Sequence, residues 1–322
     1  VVLTKEAAFD AGALTRMARP VVDAAQALFE QFEAEKLEVE KRARAAAEAV
    51  AALQLKAAEA VAAAQLEAAT LLRMSPLPRY SRYCTVTKEA LPATDEVHQL
   101  LAKRFIVSAT RHRHGNPPRH REAPLLQVIK IERLHNPRLQ EAYLPTLTAV
   151  AGITDRRVRA LDGVNAIGVR TWPRYDLNEY LMYHGVPTSV AERIHLQGFD
   201  KNYAGEHFGK LFGVGIYLAT NSSKSDIYTQ PASGNATGER TMFVVRVCLG
   251  EVHETKVAMR QATRAPERAD YKGPLDSVRA LTHASGGCVE HPEFIVYKDT
   301  QVLPEYLITY THKEGCRCTH CG

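Results

Sequence analysis

A carboxylate, an imidazole, an ammonium and two phenols stand out in this chain, each set against stiff or glycine-lined backbone. Glu293 follows Pro292 and opens the run Glu293-Phe294-Ile295-Val296-Tyr297, which alternates as a strand does. A carboxylate on a rigid element can stabilise developing positive charge without reorganising. Cleavage of a glycosidic bond passes through such a state, of oxocarbenium character. Taken alone, Glu293 also reads as a surface residue on a strand edge, so its company has to carry the argument.

That company lies in three segments. His184-Gly185 ends the apolar run Leu181-Met182-Tyr183. Glycine lets a ligand approach the backbone closely, and the imidazole can donate to or accept from a hydroxyl. The competing reading is a strand-ending turn with an incidental histidine. Tyr217 follows Gly209, Gly213 and Gly215, and Tyr228 follows Ser222-Ser223-Lys224-Ser225. Two tyrosine faces can hold a flat heteroaromatic cation, with stacking worth about 1 kcal/mol per face. Ser225 offers a hydroxyl to an amide, and Lys224 a cation able to orient a carboxylate. The pair Gly213-x-Gly215 lacks the third glycine of a dinucleotide fingerprint and the Lys-Ser/Thr of a P-loop, so neither is supported.

These residues need strands and short helices to hold them. Helices are predicted over Glu96–Phe105, Asn136–Tyr143 and Ser189–Gln197, the last stopped by Gly198. Strands are predicted over Leu125–Ile131, Leu181–His184, Thr241–Leu249, Glu293–Tyr297 and Tyr306–Tyr310. Their mixture has no regular βαβ beat, which points to α+β. Ahead of them, residues 21–73 are rich in Ala, Glu, Lys, Gln and Leu with no Gly or Pro after Pro20, which predicts a long helix. Its larger apolar residues (Phe29, Phe32, Leu37, Val50, Leu53, Val61, Leu66) keep no strict heptad, so both a solvent-bridging spacer and an oligomerisation helix fit. Ser75-Pro76-Leu77-Pro78 marks its end.

With 322 residues, 45% hydrophobic and 24% charged, the composition is that of a soluble globular protein of one large domain with an appendage, or of two domains. No stretch approaches the roughly 18 apolar residues of a membrane span. The start, Val1 to Glu6, carries neither a secretory signal nor an initiator Met and reads as an internal fragment of a longer chain. The net charge of +5 is mild. The basic stretch Arg111–Arg121 holds Gly115, Pro117 and Pro118 and no aromatic residue for bases to stack on, so it reads as a solvated loop and leaves nucleic-acid binding unsupported. Cys84, Cys248 and Cys288 are scattered singly, as in a reducing cytoplasm or nucleus. Cys316, Cys318 and Cys321 crowd the end with His312 and His320, a set that either closes a tetrahedral zinc site or forms a frayed tail.

In order, His184-Gly185, Gly213-Val214-Gly215-Ile216-Tyr217-Leu218-Ala219, Ser223-Lys224-Ser225 with Tyr228, and Glu293-Phe294-Ile295-Val296-Tyr297 resemble the His-Tyr-Glu signature of the poly(ADP-ribose) polymerase (PARP) family. The resemblance runs from about residue 94 to 311. Asn221–Ser225 and Pro304–Tyr310 look most like the tankyrase branch. It implies an ADP-ribosyltransferase fold, α+β, with two packed antiparallel sheets around an NAD cleft behind the long helix. The implied organisation is 1–78 helix and linker, 79–311 catalytic domain, and 312–322 Cys/His-rich tail.

The resemblance also implies roles. His184 would bind the adenosine-side ribose and Gly185 the nicotinamide carboxamide through its backbone. Tyr217 and Tyr228 would stack on nicotinamide, Ser225 would assist the carboxamide, and Lys224 would position Glu293, the catalytic acid residue. Tyr203 and His207 would contact NAD from a covering loop, 199–211. Val186 departs from the family's usual hydroxyl residue, with Thr188 nearby. The tankyrase zinc motif has no counterpart between Tyr228 and Thr241, and residues 1–93 match no helical regulatory domain. The implied activity is NAD-dependent ADP-ribose transfer to protein side chains, extending to polymer or not. NAD+ is then the substrate, with no catalytic metal. Partners would be acceptor proteins, the chain itself, or a second copy through the helix. The rival readings are an inactive scaffold of the same fold working through its helix, and a nicotinamide-dependent oxidoreductase, which lacks the required opening motif.

Overall fold

The computed structural model describes residues 11–73, 85–114, 119–153, 158, 161, 177–203, 210–231, 238–269 and 273–321. The chain divides into two compact units, Val1–Leu66 and Glu67–Gly322. Helix α1, Ala11–Arg73, is 63 residues long and carries Pro20 inside it, so it begins earlier than the composition predicts. Exposed pairs such as Arg44 with Glu48 support it locally. Phe29 and Phe32 are 65% and 63% exposed, and with Leu37 and Leu53 they form no heptad seam. The predicted stop at 75–78 lies outside the described residues. None of the described helices is long and apolar enough to cross a membrane.

The second unit holds strands β1 (Thr87–Ala90), β2 (His112–His114), β3 (Arg119–Arg121), β4 (Leu126–His135), β5 (Glu179–Gly185), β6 (Ile216–Ala219), β7 (Arg240–Cys248), β8 (Val252–Thr255), β9 (Ser277–Ala280), β10 (Glu293–Val296) and β11 (Val302–His312). Between them come helices α2 (Glu96–Val107), α3 (Pro137–Ile153), α4 (Thr188–Gln197) and α5 (Ser222–Asp226). The architecture is α+β. Where two packed antiparallel sheets were expected, the strands among the described residues form one continuous nine-stranded sheet, ordered β1-β4-β11-β7-β5-β6-β10-β9-β8, beside a β2–β3 ribbon. One pairing, β8 with β9, is parallel. The sheet is narrow at its middle, where β5 and β6 share a single paired position, Tyr183 with Ala219.

Both faces of the sheet are covered, which explains the apolar run Met242–Val245 in β7. Phe243, Val245 and Val247 pack with Met182, Leu218, Phe294 and the Ala191 and Ile194 of α4. Met242 and Val244 pack on the other face with Leu181, Tyr183, Tyr310 and the Leu101 and Phe105 of α2. Phe105 makes edge contacts with Tyr183 and Tyr310, with ring centroids 5.8 and 4.9 Å apart. Helix α2 starts where Asp95 accepts from the backbone N–H groups of Val97 and His98, relieving two of the unpaired donors of the first turn. Helix α3 outruns its prediction despite Pro145, because its second half buries Leu147 and Val150 against Cys248 and Leu303. Arg246, fully buried, is matched by the carboxylates of Glu305 at 2.8 Å and Glu179 at 3.4 Å. Burial works against its charge, but those two carboxylates outweigh it and raise its pKa.

Candidate active site

Strand β6 organises the site because it lies between β5 and β10. Ala219 is opposite Tyr183 on one side and Glu293 on the other. The residues after Tyr183, namely His184 and Gly185, therefore flank the same short strand as Glu293 does. The Nδ1–H of His184 donates to the Tyr217 carbonyl at 2.8 Å, which leaves Nε2 as an acceptor in the neutral ring. Burial lowers the His184 pKa to about 4, the bond to Tyr217 opposing it only in part, so the ring is neutral at pH 7. Phe199 closes one side of it, edge-on at 4.8 Å.

Tyr217 is locked by the glycine turn that precedes it. Its hydroxyl accepts from the Phe212 N–H and donates to the Gly213 carbonyl, both at 2.9 Å. Gly213 holds φ at +81°, and a Cβ there would meet the Ala262 carbonyl at 1.8 Å. Tyr297 donates its hydroxyl to the Phe212 carbonyl at 2.8 Å, fixing the same turn from β10's end. With its hydroxyl spent on backbone, Tyr217 has its ring left to offer. Its pKa is pushed up to about 12, by burial first and further by Glu293 and Tyr228 nearby.

Helix α5 brings the cation. Lys224 Nζ lies 3.0 Å from Glu293 Oε1 and donates to the Tyr228 hydroxyl at 2.9 Å. Burial works against the ammonium, but Glu293 and Tyr228 outweigh it and raise its pKa. The two side chains keep 16% and 10% of their surface, enough for the pair to face a ligand. The helix is fixed from behind by its first serines. Ser222 donates to the Phe105 carbonyl at 2.6 Å, and Ser223 accepts from the Thr110 N–H at 2.9 Å. Ser225 is buried, and its carbonyl passes so near Gly185 that a Cβ there would sit 1.8 Å away. Only glycine allows the end of β5 to approach α5 that closely.

Of the residues singled out in the sequence, His184, Gly185, Tyr217, Lys224, Ser225, Tyr228 and Glu293 thus come together. Tyr203 is half exposed and lies under the guanidinium of Arg193, 4.4 Å from the ring centroid. His207 and the rest of 204–209 lie outside the described residues. Val186 is buried in the core, and the Thr188 hydroxyl accepts from Thr241 at 3.3 Å. The tail is no frayed end: Cys316 and Cys318 are buried, and with His312 and Cys321 their ligand atoms lie within 4.8 Å of one another. Sequence reasoning missed the clamp by Tyr297 and the anchoring serines, whose partners lie far away in the chain.

Residues 112–312 match the sequence profile of the poly(ADP-ribose) polymerase catalytic domain. The chain belongs to that family. Among relatives, it is 27% identical over 188 residues to human "Protein mono-ADP-ribosyltransferase PARP14", covering 57% of this chain and 9% of that protein. It is 29% identical over 189 residues to mouse "Protein mono-ADP-ribosyltransferase PARP10", covering 57% and 16%. It is also 29% identical over 165 residues to "Poly [ADP-ribose] polymerase tankyrase" of Caenorhabditis elegans, covering 42% and 7%. The tankyrase branch is therefore one of several that the chain resembles, and each match spans a small part of its relative's length.

Proposed function

We propose that this chain is an NAD-dependent protein ADP-ribosyltransferase that binds NAD between β5, β6, α5 and β10. The observation that carries the reading is the Lys224–Glu293 pair, at 3.0 Å, set across β6 from a neutral His184. His184 Nε2 accepts a ribose hydroxyl of the adenosine side, and the backbone of Gly185 and the hydroxyl of Ser225 hold the carboxamide. The faces of Tyr217 and Tyr228 take the nicotinamide ring. Glu293, oriented by Lys224, accepts the nicotinamide-side ribose hydroxyl and stabilises the positive charge that grows at C1′. The C1′–N bond breaks and its electron pair leaves with nicotinamide. An acceptor side chain then bonds to C1′ and loses its proton to solvent. The family membership and the printed names of PARP14 and PARP10 support transfer of single units to protein. Glu293 favours a second reading, elongation, because the same carboxylate can take the proton of an acceptor ribose hydroxyl.

Incubation of the chain and its Glu293→Ala variant with labelled NAD separates these readings on a gel. We expect discrete labelled bands that fade at least 100-fold in the variant. A ladder lost in the variant would establish elongation. Equal label in both proteins would overturn the assignment of Glu293, and no label in either would overturn the transferase reading and leave a scaffold.

A further inference from the structure

We propose that His312, Cys316, Cys318 and Cys321 form a structural zinc site that fastens the chain's last turn to helix α5. The observation is geometric. In a tetrahedral site with Zn–S and Zn–N bonds of usual length, sulfurs stand about 3.8 Å apart, and sulfur and nitrogen about 3.6 Å. Cys318 Sγ lies 3.7 Å from Cys321 Sγ, and His312 Nδ1 lies 3.4 Å from Cys318 Sγ and 3.1 Å from Cys321 Sγ. Cys316 Sγ completes a set whose members all lie within 4.8 Å of one another. Three thiolates and one imidazole are a soft donor set that suits zinc.

The surroundings support a ligand rather than a chance cluster. The Nε2–H of His312 donates to Asp226 Oδ1 at 3.0 Å, which presents Nδ1 as a lone pair toward the three sulfurs. A carboxylate behind an imidazole is the usual way of orienting a metal-bound histidine. Backbone N–H groups point at two of the sulfurs: Leu125 N–H at Cys316 Sγ and His320 N–H at Cys318 Sγ, both at 3.4 Å. Such bonds stabilise thiolate charge. Cys316 and Cys318 are buried, whereas Cys321 is exposed. His320 donates from Nε2 to the Asp226 carbonyl at 2.8 Å, so the turn and the end of β11 each hold α5. Asp226 is the last residue of the helix that carries Lys224 and Ser225. The site therefore braces the Asp226 end of the active-site helix, while Ser222 at its other end is bonded to the Phe105 carbonyl of α2.

Metal analysis of the full chain, purified without added metal and kept reduced, should give one zinc per chain. Cobalt(II) titrated into the stripped protein should give the strong visible absorption of a tetrahedral thiolate complex. Cys321→Ser, at the exposed ligand, should weaken cobalt binding at least 100-fold, and Asp226→Asn should weaken it 10- to 100-fold. A thiol count showing a Cys318–Cys321 disulfide in the protein as purified would overturn the proposal. So would full zinc retention by Cys321→Ser, or reduced wild-type protein that binds neither zinc nor cobalt. These readouts do not depend on NAD, so they stand or fall apart from the transferase reading.

Discussion

His184 contributes its own share of the protein's acid sensitivity. Its folded pKa is about 4 and its ordinary value 6.5, so the unfolded chain takes up a proton over an interval in which the folded one does not. The stability that the neutral ring supplies is complete above about pH 6.5 and is lost as pH falls toward 4. Thermal melts of wild type should therefore drop more steeply between those values than melts of His184→Gln, which has nothing to protonate. Parallel curves would show that burial does not hold the ring neutral. In the proposed NAD complex the same neutrality would serve binding, because a protonated ring has two donors and no acceptor for a ribose hydroxyl. Gly185 and Gly213 are constrained in a different way: each faces a carbonyl oxygen across a gap that no Cβ can enter.

At the scale of elements, α5 is too short to persist on its own, and its position is imposed by what it touches. Ser222→Ala removes the donor to the Phe105 carbonyl inside a buried joint. The cost should be about 1–3 kcal/mol in denaturant unfolding, and NAD affinity should fall because Lys224 rides on the same helix. Unchanged affinity with lowered stability would mean that α5 keeps its place without the anchor. Much of this region was legible in the sequence because its signals are local. An apolar run ending in His184-Gly185, glycines ahead of Tyr217, and Pro292 ahead of Glu293 each mark a strand or turn within a few residues. The four-residue strand β6 was hidden because it is too short to show a period. The parallel β8–β9 pairing left no local mark either. The His312–Asp226 contact joins residues 86 apart, and such pairs carry no signal in either segment alone. Helix α3 runs past the predicted end at Tyr143, through Pro145, because its packing overrides that proline.

Across the second unit, the sheet is wide in its β4-β11-β7-β5 part and narrow where β5 meets β6. Ligand placed there touches both parts at once. Hydrogen exchange with NAD added should slow together in 183–185, 216–219 and 293–296, since one bound molecule would restrain all three. Protection confined to one segment would place the ligand elsewhere. The buried Arg246, held by Glu179 and Glu305, sits in the wide part and gives β5, β7 and β11 a common fastening that the narrow part lacks.

The double pairing of Ala219 turns β6 into a caliper. Its two jaws are Tyr183 and Glu293, and its setting is a matter of register. Sliding the strand by one residue would send its alternate side chains to opposite faces, drawing Tyr217 away from the carboxylate it accompanies. A single codon gained or lost within the four residues Ile216–Ala219, or in the glycine turn and helix that abut them, would thus put the site out of gauge.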